Sequence, residues 1–341
     1  MEWEQKEHMV CHGTLMKAMI NKNGDDAYFD RLLSYFQSQF LEKIIRMYPI
    51  RHSVFFVKTE KNTYIIKGYQ TNKRLRLQEA FTATLRKEGF LKTYLFLTPP
   101  VKEHLFFEGM YFGCTEYIVP NKTAFSYHLQ KNREEGLELL EQFHTVTATF
   151  EARYRTLLPR ARLIEKWGER SNIFSTNLPF LKYFINEPYL SEILSWANWS
   201  LAGMEKNRDY FYNEPFVILH GDVAHHNFLR DAVGNLHLID FDLISIGPHS
   251  YDFLQYSNRI LPFIDWSFDR LQGLSKINRF LHDDAFLFAL GYPADIFREW
   301  NRMIREKSHT DKGKIKHVMD LTIGQYYARK QFIDHLKRKV T

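Results

Sequence analysis

The sequence predicts an α+β protein in which a small strand-rich half is followed by a larger, mainly helical half. Apolar runs at Ser53–Val57 and Thr63–Lys67, separated by Lys58–Asn62, read as a β-hairpin. Three- and four-residue apolar spacing dominates from Ala124 to about Leu158, from Pro188 to Met204, and from Ser267 onward. The helical half is interrupted once, where Phe216–Leu219, Phe228–Arg230 and Leu236–Ile239 are short β-type runs among polar residues. Polar groups between short buried strands are costly unless paired or coordinated, so the chemistry is sought there.

The first half divides as follows. Tyr28, Leu32, Leu33, Phe36, Phe40, Ile44 and Ile45 describe a leading helix that should end near Met47-Tyr48-Pro49. After the hairpin, a helix runs from about Lys73 to Glu88 with Leu77, Phe81 and Leu85 as its apolar stripe and Gly89 as its stop. Tyr94 to Ile118 reads as further strands interrupted by Pro99-Pro100. The expected organisation is an N-terminal lobe over 1–118 and a C-terminal lobe over 119–341, with the hinge near Glu116–Pro120.

Composition narrows the function classes. With 341 residues, 45% hydrophobic, 25% charged and 16% aromatic, the chain can build a sizeable core, which excludes disordered and low-complexity classes. No apolar run reaches about 18 residues, so no membrane span is expected. The charged opening Met1–His8 does not lead into a signal-peptide core, so synthesis in a cytoplasm is expected. Cys11 and Cys114 are too few for a disulfide framework and read as reduced thiols. The net charge of +6 permits an anionic ligand. The basic runs Lys73–Arg76 and Lys337–Lys339 sit in no nucleic-acid motif and read as solvated faces, so no nucleic-acid partner is expected.

The interrupting segment reads His220-Gly221-Asp222, then Asn227, then a turn at Arg230–Asn235, then Ile239-Asp240-Phe241. A hairpin symmetric about Val233-Gly234 pairs Phe228 with Ile239 and Asn227 with Asp240. An amide oxygen and a carboxylate then converge at its open end, a start for an oxygen-ligated Mg²⁺ site completed by water and phosphate. Asp222, on the loop entering the hairpin, is placed to accept a hydroxyl proton, which is a layout for phosphoryl transfer. Adjacent His225 and His226 on an extended segment point to opposite faces, which disfavours zinc. Tyr210-Phe211-Tyr212 and Phe263–Trp266 offer aromatic faces for a cationic amine, although core packing is their commoner use.

His-Gly-Asp, four residues, Asn, and Ile-Asp-Phe about a dozen residues on resembles the signature of the aminoglycoside phosphotransferase and choline kinase superfamily, which has a two-lobed protein-kinase-like fold. The resemblance implies ATP and Mg²⁺ as cofactors and a small hydroxyl-bearing acceptor, bound in a cleft between the lobes. By position, Asp222 is the implied catalytic base, Asn227 and Asp240 the metal ligands, and His220 a support of the loop. Gly247-Pro248 followed by Asp252 resembles the family's Gly-Pro and structural Asp. Lys67, ending the second hairpin strand, takes the place of the phosphate-binding lysine. Counting back seven residues from Leu85 places Gln78 where the family has a glutamate, with Glu79 beside it on the side away from the apolar stripe. The adenine is expected against backbone groups at Glu116 and Ile118. Met47–Ser53, where the family's phosphate-covering loop belongs, has no glycine.

Overall likeness along the chain, including His220–Leu229 and Ile239–Ile246, resembles the spore-coat branch of that superfamily, which implies a place in the spore coat and coat proteins as partners. Two readings therefore stand. One is an ATP- and Mg²⁺-dependent phosphotransferase; the other is a coat structural or assembly protein that keeps the fold as a weak or inactive pseudokinase.

Overall fold

In the computed structural model, residues 25–340 are described; Cys11 and the Met1–His8 opening lie outside them. The chain divides into two compact units, one of residues up to 84 with 94–118, the other of 85–93 with 119 onward.

The first unit is built on a six-stranded antiparallel sheet in the order β1-β2-β3-β6-β4, with β5 pairing β6. The strands are β1 (Ile44–Arg51), β2 (Val54–Thr59), β3 (Thr63–Tyr69), β4 (Phe96–Leu97), β5 (Phe106–Phe107) and β6 (Met110–Glu116). The expected hairpin is present as β2–β3, with Phe55 opposite Ile66 and Val57 opposite Tyr64. Helix α1 (Asp25–Gln39) sends Leu32 and Phe36 into a core with Phe55, Val57, Ile66 and Phe112.

The leading helix is shorter than its periodicity predicts. It stops at Gln39, and Ile44–Arg51 forms β1 instead, with Ile45 exposed. β-Branched Ile44 and Ile45 suit a strand, and Pro49 is tolerated because β1 is an edge strand. The expected glycine-free loop is likewise mostly strand. The chain reverses over His52 and Ser53, where Ser53 adopts φ 60° in the left-handed region that glycine usually fills.

Helix α2 (Asn72–Lys87) ends as predicted, with Gly89 at φ 102° and Phe90 N donating to Leu85 O at 2.9 Å. Its buried face is Leu75, Gln78, Phe81, Thr82 and Leu85, so Leu77 lies beside the stripe rather than in it.

The second unit is mainly helical. Helices α3 (Gln130–Ala148), α4 (Leu163–Thr176), α5 (Glu187–Lys206), α6 (Ser250–Ile260), α7 (Asp284–Leu290), α8 (Ala294–Arg305) and α9 (Tyr326–Lys339) carry most of it. Two small antiparallel pairs are inserted, β7 (Phe216–Leu219) with β10 (Ser245–Pro248), and β8 (Phe228–Arg230) with β9 (Leu236–Leu238).

The β8–β9 register differs by one residue from the symmetric expectation. Phe228 faces Leu238 rather than Ile239, and Ile239 N donates to Asn227 O at 3.0 Å, so Asn227 lies across from Ile239 rather than Asp240. The turn explains the shift. Asp231 Oδ1 accepts from Val233 N and Asn235 N at 3.1 and 2.8 Å, centring a five-residue turn on Val233.

Candidate active site

The loop after β7 carries His220, Gly221 and Asp222, and one face of α6 holds it. Asp252, Gln255 and Arg259 follow at three- and four-residue steps, so their side chains project from the same side of the helix. Asp252 Oδ2 accepts from His220 N at 2.7 Å and Oδ1 from Gly221 N at 3.0 Å. Gln255 accepts from Val223 N at 2.6 Å and donates to Gly221 O at 3.0 Å. Arg259 Nη2 reaches Asp222 Oδ1 at 2.5 Å.

Gly221 makes this hold possible. Its φ is 78°, and a Cβ there would lie 2.3 Å from the carbonyl oxygen of Leu243. Only glycine relieves both constraints at once.

His220 is fully buried and joins the loop to the hairpin. Its Nε2 meets the acceptor-only Ile239 carbonyl at 3.0 Å, so that nitrogen carries the proton; Nδ1 then accepts from Asp222 N at 3.2 Å. Burial pushes its pKa down, which keeps this neutral tautomer. Burial alone would raise the Asp252 carboxyl, but the hydrogen bond from His144 at 2.9 Å, neighbouring imidazoles and the Gly221 N–H together hold it below the ordinary carboxylate range.

Asn227 is fully buried, in a turn of 3₁₀ helix over His225–Asn227. That turn replaces the extended segment expected for His225 and His226, whose exposed rings lie 5.4 Å apart. The Asn227 amide is oriented by its Nδ2, which donates to Asp222 O at 2.8 Å and to Asp222 Oδ2 at 3.4 Å. Its Oδ1 is buried and accepts no hydrogen bond. Asp240 follows Ile239 directly, is half-buried, and adopts φ 70°.

The sequence from residue 50 to 274, more than half of the chain, matches the phosphotransferase enzyme family. The chain belongs to that family. No curated protein matches it in sequence. Among solved structures it is similar to an aminoglycoside phosphotransferase from Alicyclobacillus acidocaldarius, at 16% identity and a TM-score of 0.66 over 89% of this chain and 95% of that one. It is similar to the choline kinase LicA from Streptococcus pneumoniae, at 14% identity and a TM-score of 0.54 over 90% and 99% of the two chains. It is also similar to a spectinomycin phosphotransferase in an AMP-bound complex, at 14% identity and a TM-score of 0.56 over 88% of this chain and 98% of that one. These likenesses give the fold, which is kinase-like.

The predicted residues fall in both units of this family member. Asp222, Asn227, Asp240, His220 and Asp252 belong to the second, and the hydrogen bonds above bring the loop, the 3₁₀ turn and the end of the hairpin together. Lys67, Gln78, Glu116 and Ile118 belong to the first. Lys67 is half-buried on β3 opposite Gly113, where a Cβ would lie 2.5 Å from Leu75 of α2, so helix and sheet pack closely there. Gln78 is buried at 2% exposure on the inner face of α2, and Glu79 turns outward to pair with Arg76 at 2.8 Å. Glu116 is tied to Leu95 through both backbone and side chain, its N donating to Leu95 O at 2.9 Å and its Oε1 accepting from Leu95 N at 2.8 Å. Its N–H is therefore committed to Leu95. Ile118 is half-buried just beyond β6.

The donor set suits a hard cation. An unpaired buried amide oxygen at Asn227 and the Asp240 carboxylate are both oxygen ligands of the kind magnesium takes, with water and phosphate completing its shell. Sequence reasoning missed Arg259 and Gln255. Their spacing from Asp252 was the available signal, since positions three and seven residues on share its helix face.

Proposed function

We propose that this phosphotransferase family member moves the terminal phosphoryl group of ATP to a small hydroxyl compound, with Asp222 as general base. The observation that carries the reading is the fixed Asp222–Asn227 pair, in which the amide is oriented by Asp222 and leaves its buried oxygen open. Nucleotide use is supported by the AMP-bound structure to which the fold is similar.

In this reading Arg259 and Asn227 hold the Asp222 carboxylate through both of its oxygens. Oδ2, with the longer contact, is the oxygen that takes the proton of the acceptor hydroxyl. Asn227 and Asp240 would hold a magnesium ion, which when bound supplies neutralising charge to the phosphate oxygens. His220 keeps Asp222 and the Asp240 end of the hairpin in register by bonding both segments. Lys67 is assigned to the nucleotide phosphates, and Glu116 and Ile118 to the adenine edge, by their positions alone.

The test is Asp222→Asn in an assay of ADP formation with Mg²⁺ and a panel of hydroxyl acceptors. The expected result is a fall in turnover of about 10²–10⁴-fold with the affinity for ATP unchanged. Turnover retained while nucleotide binding is lost contradicts the assigned role. A second reading, a spore-coat scaffold with little or no turnover, is favoured by the buried neutral Gln78 at the position of the family's glutamate. Absence of Mg²⁺-dependent ATP binding by the wild-type protein would select it.

A further inference from the structure

Four cationic side chains from three helices of the second unit act on one another, and one of them, Arg259, reaches Asp222. Lys166 and Arg170 lie one turn apart on one face of α4. Arg298 comes from α8, which packs on α4 through Phe174 and Phe297, ring centroids 4.2 Å apart, and through Asn301 Nδ2 donating to Arg170 O at 2.9 Å. Arg259 reaches in from α6 to Asp222.

Their charges act on one another. Lys166, Arg170 and Arg259 are each held below their ordinary pKa, first by desolvation, with the positive charge of Arg298 adding to it in all three; Asp222 opposes the shift at Lys166 and Arg259. Compensation is incomplete. Asp222 serves Arg259, and Glu299 is shared between Arg298, at 2.9 Å, and Arg302. Among the described residues, neither Lys166 nor Arg170 has an ion-pair partner. Two of the aromatic faces that would suit a cationic acceptor are already used by the chain itself: Arg329 lies 4.0 Å from the Trp266 ring and Arg208 lies 4.7 Å from that of Tyr212.

We propose that Lys166, Arg170, Arg259 and Arg298 form the acceptor subsite, and that the acceptor is a small hydroxyl compound bearing a phosphate or carboxylate group. The proposal rests on the phosphotransferase reading above. Unpaired guanidinium and ammonium groups bind such an anion by charge-assisted hydrogen bonds and repel an ammonium ion. The anion then anchors the acceptor with its hydroxyl toward Asp222. The hydroxyl oxygen forms the new P–O bond as the bond to ADP breaks, and its proton passes to Asp222.

The test is calorimetric titration of the full chain, without nucleotide, with glycerol 3-phosphate, glycerate, glycerol and choline at one ionic strength. The expected result is binding of at least one of the two anions, with glycerol and choline each at least about tenfold weaker. Lys166→Gln and Arg170→Gln should each weaken the anion by about tenfold and leave Mg²⁺-dependent ATP binding unchanged. Whichever of phosphate and carboxylate binds more tightly identifies the anchoring group. Choline or glycerol binding as well as the anions, no anion binding, or anion affinity untouched by either substitution overturns the proposal. So does a matching loss of ATP affinity in the variants, because the cations would then serve the nucleotide. Anion binding is read without transfer and ADP formation is read separately, so this inference and the phosphotransferase reading fail independently.

Discussion

Gly221→Ala tests whether the hold on the Asp222 loop is as tight as the geometry requires. Two costs arise. An alanine in the left-handed region at φ 78° costs about 1–2 kcal/mol. Its Cβ would also lie 2.3 Å from Leu243 O, about 1 Å inside an ordinary carbon–oxygen contact. The obstacle is backbone rather than a flexible side chain, so the turn that carries Leu243 must shift, at roughly 1–3 kcal/mol. The sum is roughly 2–5 kcal/mol, which for a unit of this size lowers Tm by about 10 °C. Gly234→Ala isolates the first cost, because Gly234 has φ 102° and nothing within 4 Å of the added carbon. Thermal unfolding by calorimetry of both variants, with Mg²⁺-dependent ATP binding measured alongside, separates the two contributions. Gly221→Ala should be the more destabilised by several degrees and should lose turnover more than nucleotide affinity. Equal Tm values for the two variants would refute the close approach to Leu243.

Three further outcomes are expected. Asp252→Asn sets an amide N–H against one of the donors from His220, Gly221 or His144, so it should cost roughly 2–4 kcal/mol and reduce turnover, read by denaturant titration and ADP release; a change below about 1 kcal/mol contradicts the assigned support. Stability should fall as pH drops below about 6.5, because His220 and His249 are kept neutral in the fold by burial while their unfolded counterparts take up protons; for His249, pushed down to about 4, the loss should be complete near that pH, and a flat Tm from pH 7 to 4 would exclude it. The Cys114 thiol, which burial pushes up to about 12, should react with iodoacetamide at pH 8 far more slowly in the native than in the urea-unfolded protein, by mass spectrometry of its peptide; equal rates would place it at the surface.

The sequence by itself determined what local chemistry dictates. Gly89 stops α2 because its backbone tolerates φ 102°, and the β2–β3 pairing follows from two apolar runs joined by a short polar stretch. The His220, Asp222, Asn227 and Asp240 spacing was legible for the same reason, since a short loop and hairpin confine those residues whatever surrounds them. Where competing structures were nearly equal, local reading failed. Ile44 and Ile45 continue a helical spacing yet join a sheet edge, and the β8–β9 register turned on two hydrogen bonds to the Asp231 side chain. Tertiary structure alone decided the rest. Arg259 meets Asp222 only because α6 packs beneath the loop, and Lys166, Arg170 and Arg298 share one electrostatic environment only because α4 and α8 pack together. Charges distant in sequence interact through space, with a strength set by distance and desolvation, and neither quantity is written in the order of the residues.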